Sequence, residues 1–204
     1  MADQLYLSLW FPNFRLAALG PAIVGVLGQL AAAGGASAVA AAAVYPISWN
    51  EAPVYQRVYD EEDGEASQPE AAVAEAMEML HEDYAYEFEV NWELWVPESG
   101  GGLDTKWRQE PRVIRVIGFG PEFDDASYEQ NGHIRVDFGS DSAFLQEDVA
   151  MEPETARYVQ QNVQKLIDAT QAIQNNLAIS SRLLWSESGE SLAEKLIARL
   201  QRLN

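Results

Sequence analysis

The chain contains no cysteine, three lysines and two histidines among its 204 residues. Missing thiols exclude disulfides, thiolate metal sites and cysteine nucleophiles, while leaving the redox compartment open. So few cations cannot supply the clustered Lys and Arg that hold phosphate backbones, so neither nucleic acid nor an anionic membrane surface is an expected partner. Two isolated histidines give zinc little to bind. Neither a metal nor another cofactor is expected. The glycine stretches GGASA and SGGGLDT lack the lysine of a phosphate loop, and neither a dinucleotide fingerprint nor a G-x-S-x-G elbow is present.

What the chain has in excess is acid. Its 32 carboxylates against 13 bases give −19, and the imbalance is local: residues 1–57 sum to 0, 58–110 to −14, 111–152 to −6 and 153–204 to +1. An acidic field attracts cations and repels anions, so the fitting partners are a basic protein or a neutral or cationic small ligand. Solubility alone is the plain alternative for such a charge.

With 48% hydrophobic residues the chain can build a sizeable core. Residues 16–47 carry no charge and are long enough to cross a bilayer, but they are mostly Ala and Gly and are broken by Pro21 and Gly34-Gly35. We expect a buried helix followed by a buried strand there, and no membrane insertion. The start MADQLYLSLWF has an acid where an export signal carries bases, which leads to the expectation of a cytoplasmic protein.

Periodicity gives an order of elements. A strand is expected over 4–11, a helix over 14–33 that tolerates Pro21 through a kink or a late start, and strands over 38–49 and 54–60. After the polar run DEEDGEASQPE, Pro69 opens a helix carrying Val73, Met77 and Leu80 on one stripe. Strands follow over 84–96, 112–119 and 133–138, the first pair joined by PESGGGLDT and the last introduced by Asn131-Gly132, with 120–130 an acidic loop.

This order predicts an α+β fold, a mainly antiparallel sheet with two helices on one face, and it resembles the ferredoxin-like βαββαβ arrangement with extra strands. The C-terminal stretch 153–204 is expected to be helical and to form a unit beside an α+β domain spanning 1–152. Val159, Val163, Leu166, Thr170, Ile173, Leu177 and Leu184 approximate a stripe, and Ser191 with Glu194 forms a capping box for a last helix. These helices would either cover the core or form the seam of a homodimer.

The stretch HEDYAYEFEVNWELWVPE carries the candidate site. Alternation puts Tyr84 through Val96 at even positions on one face, and Glu87, Glu89, Glu93 and Trp95 on the other. Three glutamates cannot be buried together, so that face must meet water, a cation or a partner. Arg115, His133, Arg135 and Asp137 fall on neighbouring strands at positions that can share the face, either as cross-strand ion pairs or as part of a binding surface.

We therefore expect a non-enzymatic interaction protein that binds a basic partner through an acidic sheet face and its adjoining loops. The alternative is a carbohydrate-binding protein or hydrolase, with Glu87 and Glu89 about 6.5 to 7 Å apart along one strand and Trp95, Trp10 and Trp49 stacking on sugar rings. Two further motifs fit less well. A calcium loop over 59–70 would begin on Tyr59, and Ser140 with His133 and Asp137 lacks the context of a nucleophile.

Overall fold

A computed structural model describes residues 3–60, 62–98, 106–125, 127–146, 152–189 and 191–201. In chain order the elements are β1 (Gln4–Trp10), α1 (Leu19–Ala32), β2 (Gly35–Pro46), β3 (Tyr55–Val58), α2 (Pro69–Met77), β4 (Tyr84–Pro97), β5 (Trp107–Phe119), α3 (Ser127–Asn131), β6 (Ile134–Ser140), α4 (Ser142–Leu145), α5 (Pro153–Asn176), β7 (Ser181–Ser186) and α6 (Leu192–Gln201). The strands make one seven-stranded sheet in the order β3-β2-β4-β5-β6-β1-β7. Every neighbouring pair is antiparallel.

The α+β class is as expected, and the topology departs from the ferredoxin-like arrangement in a definite way. Strands β3 and β4 both pair antiparallel with β2, so they run the same way with α2 crossing between them. The crossover through α1 is wider, because β4, β5 and β6 all lie between β2 and β1. Long β4 and β5 form a hairpin closed by a bond from Glu98 N–H to Lys106 O, 2.8 Å; its expected tip, 99–105, lies outside the described residues.

One face of the sheet carries the core. Phe88, Val90, Trp92, Ile114, Val116, Val136 and Leu7 are all at most 3% exposed, and α1, α2 and α5 cover them. Helix α1 can sit this close because Gly118 has no side chain: a Cβ there would meet Ile23 Cδ1 at 2.6 Å. The uncharged segment is resolved as α1 followed by β2, and among the described residues no helix is long and apolar enough to cross a membrane. Pro21 is accommodated by a late start. A 3-10 turn at Leu16–Ala18 leads into Leu19, so the proline falls in the first turn, where its missing N–H costs no bond.

The C-terminal stretch differs most from expectation. Helix α5 ends at Asn176, and the chain then turns back into the sheet as β7, in register with β1 from Leu5↔Ser186 to Trp10↔Ser181. The apolar stripe therefore stops at Leu177, and Leu184 belongs to a strand. Leu166, Ala169 and Ile173 of α5 pack into the same core as the sheet, where Leu177 also meets α1 across Gly25. Helix α2 likewise ends before Leu80, whose side chain is exposed.

Two polar devices hold α5 and α6 in place. Beyond Gly35 no described strand pairs with the β2 edge of β4, and Asn162 of α5 takes that role: its Oδ1 accepts Trp95 N–H at 2.9 Å, and its Nδ2 donates to Trp95 O at 2.8 Å. Lys165 completes that edge by donating to Glu93 O at 2.6 Å and Gly34 O at 2.8 Å. At the other end of the chain Lys195 of α6 reaches Asp141 at 2.7 Å and Asp3 at 3.0 Å, clasping α6 to the start of β1 and the end of β6. The capping box forms as expected, with Glu194 accepting Ser191 N–H at 3.0 Å and Ser191 Oγ accepting Glu194 N–H at 3.2 Å.

Candidate interaction site

The uncovered face of the sheet brings together five of the eight expected residues. Cross-strand register places Glu89, Arg115, Asp137 and Tyr6 in one row, and Glu87, Ile117, Arg135 and Ser8 in the next. Arg115 Nε donates to Glu89 Oε1 at 2.9 Å and lies 3.9 Å from Glu87 Oε2. Burial pushes the Glu87 carboxyl up, against the pull of Arg115. Burial also works against the Arg115 cation, but Glu89 and Glu87 hold its proton above the ordinary range.

Arg135 is the most enclosed of the group. Its guanidinium lies 4.9 Å from the Tyr6 ring centre and 5.5 Å from that of Phe119, with Nε buried and lacking a hydrogen-bond partner. Burial lowers its affinity for the proton, while Tyr6, Asp137 and Glu87 oppose the shift. A guanidinium keeps its proton under such shifts, so the cation persists. Three carboxylates thus face two guanidinium groups. The row is a nearly compensated lattice, and the Glu89–Arg115 pair, part-exposed on both sides, contributes about 1 kcal/mol or less.

The remaining three expected residues lie elsewhere. Glu93 is exposed four residues beyond Glu89 along β4. Trp95 packs at a tilt against Tyr158 of α5 with ring centres 4.6 Å apart, and Tyr158 stacks on Trp107 at 4.9 Å. His133 is buried between Phe14 and Tyr128, 4.3 Å from each ring, and its Nδ1 accepts Phe11 N–H at 2.9 Å. Burial lowers its pKa to about 4, so the ring is neutral. Ser140, His133 and Asp137 are engaged separately: Ser140 Oγ bonds Ser142 Oγ at 2.9 Å, and Asp137 accepts Gly139 N–H at 2.8 Å.

Two residues of the expected calcium loop have other roles. Tyr59 is buried, Asp63 is bonded to Arg57 at 2.7 Å, and Glu61 lies outside the described residues. Among the described residues no group of three His, Cys, Asp or Glu side chains could hold a metal ion. A cavity of about 250 Å³ lies between the β4–β5 hairpin and α4, lined in part by Arg108 and Arg112, which Glu110 already engages.

One end of the sheet gathers acid without base, in the segments 47–54, 78–83 and 120–131. Together they hold eight carboxylates, one histidine and no Lys or Arg. Their backbones are tied to one another: Ile47 N–H donates to Asp83 O at 2.7 Å, Asp124 N–H to Ile47 O at 2.8 Å, and Glu122 N–H to Glu82 O at 2.8 Å. Gly120 permits the approach, since a Cβ there would collide with the Glu82 carbonyl. Beneath these loops Phe123 is fully buried against Ala85, Ile117 and Phe119, forming a second small core on the otherwise open face.

Ile47 sits at the crossing of the three segments in a left-handed conformation, φ 61°, with its side chain 59% exposed. For a β-branched residue this backbone region costs on the order of 1 to 2 kcal/mol. Next to it Trp49 stands edge-on to Phe123 with ring centres 5.1 Å apart, and Tyr45 packs on it at the same distance. The expected strand over 38–49 runs through Ile47 and gives it no role, because nothing in PISWN marks its backbone. No protein-family model, no curated protein and no solved structure matches this chain.

Proposed function

We propose that the protein is a non-enzymatic interaction protein that binds a basic protein through the acidic loop end of its sheet and the adjoining open face. The observation that carries this reading is Ile47: an exposed aliphatic side chain held in a strained backbone by two cross-loop hydrogen bonds, inside a ring of carboxylates. Strain of this kind persists where surrounding structure over-determines it, and such positions cluster at binding sites. Ile47 and Trp49 supply an apolar centre, and Glu51, Glu82, Glu122 and Asp125 supply an exposed acidic rim. The compensated lattice of Glu87, Glu89, Arg115, Asp137 and Arg135 sets the shape of the adjoining face and adds little net charge. A cytoplasmic setting belongs to the same proposal.

One substitution separates folding from binding. Ile47→Gly relieves the left-handed strain and is expected to stabilise the fold by about 1 kcal/mol while weakening the partner. A loss of retention from lysate in this better-folded variant cannot be assigned to unfolding. Glu51→Gln, Glu82→Gln, Glu122→Gln and Asp125→Asn combined should reduce retention at low salt and flatten its decline as salt rises. Equal retention by wild type and both variants, or none by wild type at low salt, contradicts the proposal.

A further inference from the structure

We infer that β7 is the seam of a symmetric dimer, in which two copies of the chain join edge to edge into one continuous sheet. Strand β7 ends the sheet and pairs with β1 on one side, while no described strand pairs with its other edge. Edge strands are normally guarded by charge, proline, bulges or shortness. The opposite edge, β3, has four residues and runs into the acids of 60–65. The six residues of β7, SRLLWS, contain no acid and no proline. Their one charge, Arg182, is turned inward, with Nη1 donating to Thr170 O at 2.6 Å. Leu183 and Leu184 are left 53% and 37% exposed.

Charge selects a second copy as the occupant. The stretch 153–204 that carries β7 sums to +1, whereas 58–152 sums to −20, so two chains of −19 can approach most closely here. A basic partner would be drawn to the acidic loop end instead. The register is self-complementary as well. Glu187 N–H bonds Gln4 O, and the alternation of an antiparallel pair then turns the backbone groups of 182 and 184 outward. A two-fold axis at Leu184 pairs that residue with its own copy on the helix side. On the open side it sets Leu183 beside the second copy's Trp185, whose ring already rests on Tyr6 at 4.6 Å. Faces match in this register, as cross-strand pairing requires.

Sedimentation of the full chain from 5 to 500 µM, at low and high sodium chloride, tests the seam. The dimer fraction should rise with concentration and also with salt, because salt screens the repulsion between two acidic copies. That salt response is opposite in sign to the one expected for a basic partner, so the two proposals fail separately. Leu184→Lys should shift the midpoint of dimerisation at least tenfold higher while dilute samples melt as wild type does. Leu183→Lys, at a more exposed position, should act in the same direction and covers the case in which the first variant folds poorly. A wild-type chain that stays monomeric at 500 µM in high salt, or folded variants that dimerise as wild type does, would overturn the inference.

Discussion

Leu166→Ala is expected to lower the unfolding free energy by about 2 to 5 kcal/mol, the cost of deleting buried methyl groups from a packed core. Leu166 is 1% exposed and lies in the same apolar cluster as Trp92, Val90 and Ile173. The loss should be equal in dilute and concentrated samples, because its contacts are within its own chain. Urea unfolding at two protein concentrations measures this. A loss under 1 kcal/mol, or one confined to concentrated samples, would mean that α5 does not seal the core as described.

The second large effect is on pH dependence. His133 has a pKa of about 4 in the folded chain, against an ordinary value of 6.5, because burial between Phe14 and Tyr128 disfavours the imidazolium. Its folded value is depressed, so the unfolded chain takes up the proton first. Stability is whole above about pH 6.5 and is lost as pH falls toward 4, by about 2 to 3 kcal/mol for this group alone. The ring's NMR signals should titrate near pH 4 in the native protein. His133→Gln, which can still accept Phe11 N–H, should show a flatter decline over the same range. A ring titrating at its ordinary value would remove the prediction and the enclosed environment with it.

The parts of this fold that were legible in the sequence are those fixed by short-range pattern. The alternation over 84–96 located β4 and both of its faces, Pro69 marked the start of α2, and the Ser191 to Glu194 spacing located a cap. That Arg115 can share a face with the glutamates followed from strand parity, while its pairing with Glu89 came from the β4–β5 register. What failed was long-range. That β1 would lie four places from β2 depends on its pairing with β6, about 130 residues away, and that Arg182 to Ser186 would leave a helical pattern to pair with β1 depends on contacts about 180 residues apart, as in Trp185 against Tyr6. Asn162 left a trace, a polar residue one place before Val163 on the apolar stripe, and its role appeared only with the bare edge at Trp95. Parity puts His133 on the open face, which holds for its backbone, but Phe14 from the start of the chain and Tyr128 from the neighbouring α3 close over its ring.

The site shifted for an electrostatic reason. A row of acids on one strand drew attention to Glu87 and Glu89, yet the same face brings Arg115 and Arg135 to them, and the charges largely cancel. Three loops that are unremarkable one by one combine into an acidic end with an exposed aliphatic residue at their crossing. The most direct measurement is hydrogen exchange of the chain free and bound to the basic protein it retains. The account predicts that slowed exchange on binding is concentrated in 47–54, 78–83 and 120–131, with smaller changes along 85–89 and 115–119. Slowing confined to other segments, such as α5 or β7, with the three loops exchanging as in the free chain, would contradict it.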